Sequence, residues 1–188
     1  MPQAIPVGVP QQIDLTVQAN TDVTQYIQLF DGKDILASWD NGSGVIGLTV
    51  TAHGLSSGNT VVVNGHALNV NANGTWVITV LDANRYTLNS SVWLTNGSTT
   101  GKAGTRTDLT GYTPTAFCKT SLNSSGDLFT ITATVSGAAT NGLLGLTFIA
   151  ATTAAVAAGK YVWYCRGAKT GANRYFAKGA LSLEVIAA

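Results

Sequence analysis

Apolar and polar residues alternate along several short stretches of this chain, the pattern of a β-strand with one buried face. In QIDLTVQ, the apolar residues Ile13, Leu15 and Val17 fall on one face and polar residues fall on the other. The same period runs through GDLFTITATVSG, where four residues are predicted to face the core: Phe129, Ile131, Ala133 and Val135. These stretches predict half-buried β-strands.

Turn-forming stretches such as NGSG, HGLSSGN and NANG separate these runs. No stretch has the apolar period of a helix of ten or more residues, and GLLGLTFIAATTAAVAAG predicts a strand followed by an Ala/Thr-rich turn or a short helix. Consecutive strands joined by short turns predict an all-β fold, an immunoglobulin-like antiparallel β-sandwich.

One predicted strand, GTWVITVLD, is apolar on both faces. Trp76, Ile78 and Val80 lie on one face, while Val77 and Leu81 lie on the other. A strand of this kind is either covered on both sides within its own chain or meets another subunit.

Composition narrows the function classes. Only 10% of the 188 residues are charged and the net charge is +1, so we expect no nucleic-acid partner, which would favour clustered Lys and Arg. The densest basic stretch, Lys160 to Lys178, is interpreted as strand ends and a turn. No run reaches the roughly 18 apolar residues of a membrane span, and the N-terminal stretch lacks the pattern of a secretion signal.

Two cysteines, Cys118 and Cys165, are too few for a disulfide framework. Without a secretion signal we expect a reducing compartment and two buried thiols on strands. A bridge between them requires that their strands are neighbours.

His53, His66 and Asp82 are the residues closest to a candidate reactive set. No Cys, Asp or Glu lies between the two histidines, and even with Asp82 a fourth zinc ligand is missing. Most acidic residues lie at turns, so we predict no enzyme and no catalytic, cofactor or metal site.

Two stretches resemble a small β-sandwich that is common in bacteriophage genomes. DLTGYT (residues 108–113) leads into a strand, and TTAAVAAGKYVWYCRG (residues 152–167) has the spacing T-x-x-x-aliphatic-x-x-G-x-Y-x-aromatic. Both features resemble the N-terminal domain of baseplate upper proteins and of related tail or fibre adaptors. The family continues DLTGYT with a basic strand ending in Arg, whereas this chain has PTAFCKT.

The region TAHGLSSGNTVVVNGH…NANGTWVITVLDANRYTLNSS resembles a different small β-module, found repeatedly in phage virion proteins. This resemblance implies that His53 belongs to the HGL turn, where its ring bonds backbone groups and leaves Gly54 free for positive φ. The two resemblances together imply a sandwich of residues 1–44 plus 105–188, with a small β-barrel-like module of residues 45–104 inserted at a turn. A surface turn is where an insertion is best tolerated.

The resemblance implies a non-enzymatic virion structural protein, assembled in the host bacterial cytoplasm. A tail, baseplate or fibre-anchoring adaptor is the first expectation, and a capsid decoration or head-fibre protein is the alternative. Expected partners are other virion proteins and further copies of the chain. A third hypothesis, a receptor- or glycan-binding module, predicts exposed Trp93 and Tyr112.

Residues 1–12 carry three prolines within the first ten positions. Proline lowers the entropy lost when an extended segment docks, so we predict an N-terminal arm that binds a partner. The predicted partner-binding residues are Pro6, Val7, Val9, Pro10, Trp93 and Tyr112.

Overall fold

The computed structural model describes residues 11–97 and 99–184, and their regular structure is almost entirely β-strand. The all-β prediction is confirmed. Within these residues the strands are β1 (Gln11–Gln12), β2 (Leu15–Gln18), β3 (Val23–Gln28), β4 (Phe30–Asp34), β5 (Ala37–Asp40), β6 (Ile46–Thr49), β7 (Thr60–Asn64), β8 (Gly74–Asp82), β9 (Arg85–Leu88), β10 (Lys102–Arg106), β11 (Thr113–Lys119), β12 (Phe129–Val135), β13 (Leu143–Phe148), β14 (Gly159–Lys169) and β15 (Ala172–Glu184).

Helical structure among the described residues is short. Two 3-10 turns cover Val70–Ala72 and Ala139–Asn141, and α1 covers Ala150–Ala154 directly after β13. The strand followed by a short helix is therefore confirmed. Within residues 11–97 and 99–184, no helix has the length and hydropathy of a membrane span.

The chain divides into two compact units, with the second inserted into the first. Unit 2, the module, is Phe30–Thr107, and unit 1, the sandwich, consists of Met1–Leu29 and Asp108–Ala188. An inserted module was expected, but its predicted boundaries, 44/45 and 104/105, differ from those of the structure. The reason is pairing: β4 pairs with β10 and β5 pairs with β6, so residues 30–40 supply edge strands to the module.

The sandwich is one continuous sheet in the order β1-β15-β14-β11-β12-β13-β3, with β2 also paired to β15. Its halves have the immunoglobulin arrangement: β3, β13 and β12 match strands B, E and D, and β11, β14 and β15 match strands C, F and G. The side-chain nitrogen of Gln25 on β3 donates to the Thr16 carbonyl on β2 at 2.6 Å. This bond joins β3, at one end of the path, to β2, which pairs with β15 near the other end.

Two pairings depart from a purely antiparallel sandwich, since β1 and β2 both run parallel to β15. Gln11 and Gln12, predicted as part of an extended arm that binds a partner, instead pair with β15 of their own sheet. Gly179 permits this approach, because a Cβ there would lie 1.7 Å from the Ile13 carbonyl oxygen. Residues 1–10, including the predicted contacts Pro6, Val7, Val9 and Pro10, lie outside the described residues.

The sandwich core is formed by large apolar side chains from both halves. Trp163 is almost fully buried, and its indole N–H donates to the Ile13 carbonyl at 2.9 Å. Phe129 and Ile131 are buried as predicted from the period of two, as are Leu15 and Val17. The predicted inward faces of β2 and β12 are confirmed there.

The module is a seven-stranded sheet in the order β4-β10-β7-β8-β9-β6-β5. Its two end strands are consecutive in the chain, and the segment before β10 closes the gap between them. Ile35 N–H donates to the Gly101 carbonyl at 3.1 Å, and Ser38 and Gly97 exchange two backbone hydrogen bonds of 3.1 and 3.0 Å. The module is therefore a nearly closed barrel around its own core, as its barrel-like prediction required.

Candidate functional site

His53 organises the turn before β7. Its Nδ1 accepts the Leu55 N–H at 3.0 Å, so Nε2 carries the proton and donates to the Asp82 carbonyl at 2.8 Å. The ring packs edge-on against Tyr86, with 5.1 Å between centroids, and Gly54 has a φ of +68°. The predicted role of His53 as a turn residue that bonds backbone groups is confirmed.

His66 forms a second, deeper network. Its Nδ1 lies 2.8 Å from the Thr100 carbonyl, which can only accept, so Nδ1 carries the proton. Nε2 then accepts the Ser38 hydroxyl at 2.8 Å. The Asn73 side chain bonds the His66 backbone in both directions, at 2.9 Å each. One imidazole thus connects three separate segments of the barrel.

The Ser38–His66 pair has the hydrogen-bond order of a nucleophile and its base, with Thr100 orienting the imidazole. A nucleophile must be reachable by its substrate, but Ser38 is only 2% exposed and His66 only 1% exposed. Gly97 covers the pair so closely that a Cβ there would lie 2.4 Å from Ser38 Oγ. A substrate carbonyl has no path to Ser38 Oγ, and the pair serves to fasten the closure of the barrel.

No sequence pattern marks Ser38 or Thr100, since both are far from His66 along the chain. The backbone pairing of Ser38 with Gly97, together with the pairing of β7 with β10, brings the segments together.

The stretch GLSSG (residues 54–58) has G-x-S-x-G spacing, which in hydrolases places a serine on a strand-to-helix turn. Here it is a turn that leads into β7, and no helix follows. Asn59 Oδ1 accepts the Ser56 N–H at 3.0 Å, and both ring nitrogens of the nearby His53 are engaged by backbone groups. The stretch therefore has a turn role.

Asp82 is committed to its own hairpin. Its carboxylate accepts the Asn84 N–H at 2.8 Å and pairs with Arg85 Nε at 2.7 Å. These two contacts, the backbone bond first, hold the pKa of Asp82 below its ordinary value. Within the part of the chain that the structure describes, no three His, Cys, Asp or Glu residues are grouped to hold a metal ion.

The two cysteines lie on neighbouring strands but in diagonal positions. Cys118 of β11 faces Trp163 and Cys165 of β14 faces Ala116, a geometry that separates Cβ atoms by about 7 Å. A disulfide needs about 4 Å, and both thiols are free and buried. Burial raises the pKa of each thiol to about 12, which suppresses thiolate chemistry near neutral pH.

The two aromatic residues predicted to touch a partner are both partly buried within their own units. Trp93 packs against the module core with its indole nitrogen buried. Tyr112 packs against the sandwich core, edge-on to Phe176 at 5.2 Å, with Lys169 Nζ 4.4 Å from its ring centroid.

The outward side of β7 and β8 carries no charge. Val77 is 48% exposed and Leu81 is 51% exposed, while Ile78 on the opposite side is fully buried. The apolar outer side of β8 is therefore not covered by the described part of its own chain. We call this surface the uncharged face; its side chains are Thr60, Val62, Thr75, Val77, Thr79 and Leu81.

Comparison of the chain with models of known protein families gives no match, and comparison with curated proteins gives none either.

Proposed function

We propose that this chain is a non-enzymatic structural protein of a bacteriophage particle, assembled in the host cytoplasm. Its role is that of a tail, baseplate or fibre-anchoring adaptor that contacts other virion proteins and further copies of itself. The proposal rests on the resemblance of the DLTGYT and HGL…ANGTW stretches to virion domains, together with the uncharged face.

The uncharged face is the observation that carries the proposal. A β-strand that exposes Val77 and Leu81 between threonines leaves apolar area in water, and such area is favourably buried against a neighbouring protein. Without charged groups, the same surface can meet its own copy without repulsion, as repeated contacts in a symmetric particle require. The histidines, by contrast, are engaged by their own barrel.

Localisation in purified particles tests the proposal. Virions of the phage that encodes the chain are dissociated into heads and tails, and the protein is quantified in each fraction by mass spectrometry. We expect enrichment with tails at roughly six to eighteen copies, numbers set by tail symmetry. Hundreds of copies with heads would replace the adaptor role by capsid decoration, and absence from both fractions would overturn the virion assignment.

A pair of substitutions tests the surface itself. Val77→Asp with Leu81→Asp places two charges on the uncharged face and should abolish incorporation into particles, because burying unpaired carboxylates is costly. Ile149→Asp adds a charge at another exposed aliphatic residue, 47% exposed, and should leave incorporation intact. Equal loss in both variants would contradict the role of this face.

A further inference from the structure

The outward side of the sandwich strands β11, β14 and β15 differs from every other surface described so far. Phe117 pairs with Tyr164 and Tyr164 with Lys178 across the three strands, and Arg166 pairs with Tyr175 in the neighbouring row. We call this surface the cationic face; its side chains are Phe117, Lys119, Tyr164, Arg166, Tyr175 and Lys178.

The aromatic rings of the cationic face form a connected layer with cations above it. The Phe117 and Tyr164 centroids are 5.4 Å apart, and Tyr164 and Tyr175 are 6.2 Å apart. Arg166 Cζ lies 5.5 Å from the Phe117 centroid, and Lys119 Nζ lies 5.5 Å from that of Tyr164. Cations held over rings are oriented before any ligand arrives.

The positive charge of this face is neutralised only in part by its surroundings. Lys119 Nζ lies 3.8 Å from the Asp127 carboxylate, which also accepts the Tyr164 hydroxyl at 2.8 Å, and it donates to the Ser124 carbonyl at 3.0 Å. Arg166 and Lys178 are exposed, and neither belongs to any of the ion pairs found among residues 11–97 and 99–184. Two cations are thus available to an anionic partner.

A groove of about 330 Å³ opens beside these residues. Its apolar part includes Leu122, which is 72% exposed, and its two lysines, on β11 and β15, lie on either side of Tyr164 on β14. A volume near the lower end of ligand-pocket sizes admits one or two side chains rather than a large cofactor. The groove is lined by Lys119, Leu122, Val162, Trp163, Tyr164, Tyr175 and Lys178.

We propose that the cationic face and its groove bind an acidic polypeptide segment of another protein. An apolar side chain of the segment enters the groove, and flanking Asp or Glu carboxylates meet Arg166 and Lys178. Tyr and Arg are the side chains that most often dominate protein–protein binding. The complementarity lies in charge: the face is cationic, and the proposed segment is anionic.

The geometry favours a polypeptide over other anionic polymers. A base or a sugar stacks on open ring faces, but cations already lie over Phe117 and Tyr164, which leaves Tyr175 as the one exposed ring of this face. The aliphatic residues Leu122 and Val162 suit an apolar side chain instead. A second copy meeting this face head-on is disfavoured, because like charges would oppose each other.

Fluorescence anisotropy with the purified full chain tests the proposal. The probe is a labelled peptide with two glutamates on each side of a leucine. Binding should weaken with added salt, because exposed charges are screened. It should weaken several-fold when serine replaces the leucine, and it should vanish when lysines replace the glutamates. The assay needs no virion, so its outcome is independent of the proposed function.

Charge reversal locates the binding surface. Arg166→Glu with Lys178→Glu should reduce affinity for the acidic peptide by at least about tenfold. Arg106→Glu makes the same type of charge change at an exposed position of the module and should leave affinity within about twofold. Arg166→Gln with Lys178→Gln, checked by circular dichroism, separates loss of charge from loss of fold and should also weaken binding.

Three outcomes would overturn the proposal. The first is binding that Arg106→Glu reduces as much as the paired reversal on the cationic face. The second is tighter, equally site-dependent binding of heparin or of single-stranded oligothymidylate, which would assign the face to a glycan or a nucleic acid. The third is the absence of binding to the peptide at low salt.

Discussion

The two units bury polar side chains to very different extents. Among the described residues, the sandwich fully buries one polar side chain, Thr153. The module, although its apolar core is smaller, buries Ser38, His53, His66, Asn69, Thr87, Ser91 and Thr107. The sandwich is held mainly by apolar packing, whereas the module adds a network of side-chain bonds to its turns.

Strand length explains this difference. The sandwich is built around β14 and β15, with 11 and 13 residues, and long ladders satisfy most backbone groups. Most module strands have only four or five residues, so more of its backbone lies in turns. Buried turn backbone must find partners, and His53, His66 and Asn73 supply them.

The outer surfaces show the opposite contrast. The module exposes the uncharged face, and the sandwich exposes the cationic face with its aromatic layer. The module has its distinctive polar side chains in the interior, whereas the sandwich has its distinctive charged side chains on the surface. A substitution should therefore affect either stability or recognition, depending on the unit and the side of the sheet on which it lies.

Trp163→Ala should have the largest effect on stability. Removing a fully buried tryptophan costs about 3–5 kcal/mol, and the bond to the Ile13 carbonyl is lost as well. We expect the sandwich to unfold at much lower urea concentration. Circular dichroism measures the transition, and the fluorescence of the variant then comes only from the module residues Trp39, Trp76 and Trp93.

The Trp163→Phe variant serves as the control, because it keeps most of the buried ring and should lose less free energy. If the module fluorescence transition shifts as far as the circular dichroism transition, the two units unfold as one and their contrast in stability disappears.

His66→Ala should destabilise the module next most strongly. The change leaves the Ser38 hydroxyl and the Thr100 carbonyl without a buried partner, at a cost of about 1–3 kcal/mol. The cost is measured by urea unfolding in the Trp163→Phe background, with and without His66→Ala. In that background the tryptophan fluorescence comes only from the module. Ser38→Ala should cost less, since His66 keeps its bond to Thr100; unchanged stability in both variants would contradict the fastening role.

The strands and their faces were predictable because period-two alternation reports burial directly. Phe129 and Ile131 of β12 and Leu15 and Val17 of β2 are buried as the pattern indicates. The boundary at Leu29 was not predictable, because TQYIQLFD has the composition of one strand. The chain changes unit within it, and only the pairing of β4 with β10 reveals the change.

The candidate sites were less predictable than the fold. The turn role of His53 was predicted from the resemblance of the HGL stretch to a known β-module, and its bonds are to the backbone of Leu55 and Asp82. The Ser38–His66–Thr100 network depends on barrel closure, and the cationic face depends on which strands become neighbours. Lys160 to Lys178 was interpreted as strand ends and a turn, but Arg166 and Lys178 lie within strands. Each is next to an aromatic residue because β14 pairs with β15, so that Arg166 faces Tyr175 and Lys178 faces Tyr164.

Alkaline pH should lower the stability of the two units differently, by less than the Trp163→Ala and His66→Ala substitutions do. Burial raises the pKa of Cys118 and Cys165 from 9.0 to about 12. The unfolded thiols therefore ionise from pH 9 upward while the folded thiols stay neutral, so stability present below pH 9 is lost as pH rises toward 12. At pH 10 the loss is about 1 kcal/mol for each thiol.

The module has no cysteine, and its buried Tyr86, whose pKa burial raises, starts from an ordinary value of 10.0. We therefore expect the module to begin losing stability about one pH unit above the pH at which the sandwich does. Urea unfolding from pH 8 to 10.5 measures both, and Cys118→Ala with Cys165→Ala should flatten the pH dependence of the sandwich. An unchanged slope would show that the thiols are not the cause.

The exposed ion pair of the module should matter least. Lys102 Nζ lies 2.6 Å from Asp34 Oδ1, but both side chains are more than half exposed. Such pairs contribute about 0–1 kcal/mol, and salt screens them. Lys102→Met should therefore change the unfolding free energy far less than His66→Ala. At 1 M NaCl, Lys102→Met and the unsubstituted chain should have the same unfolding free energy. Equal losses of unfolding free energy in Lys102→Met and His66→Ala would show that surface charges stabilise the module as much as its buried side-chain bonds do. The two units would then differ only in their apolar packing.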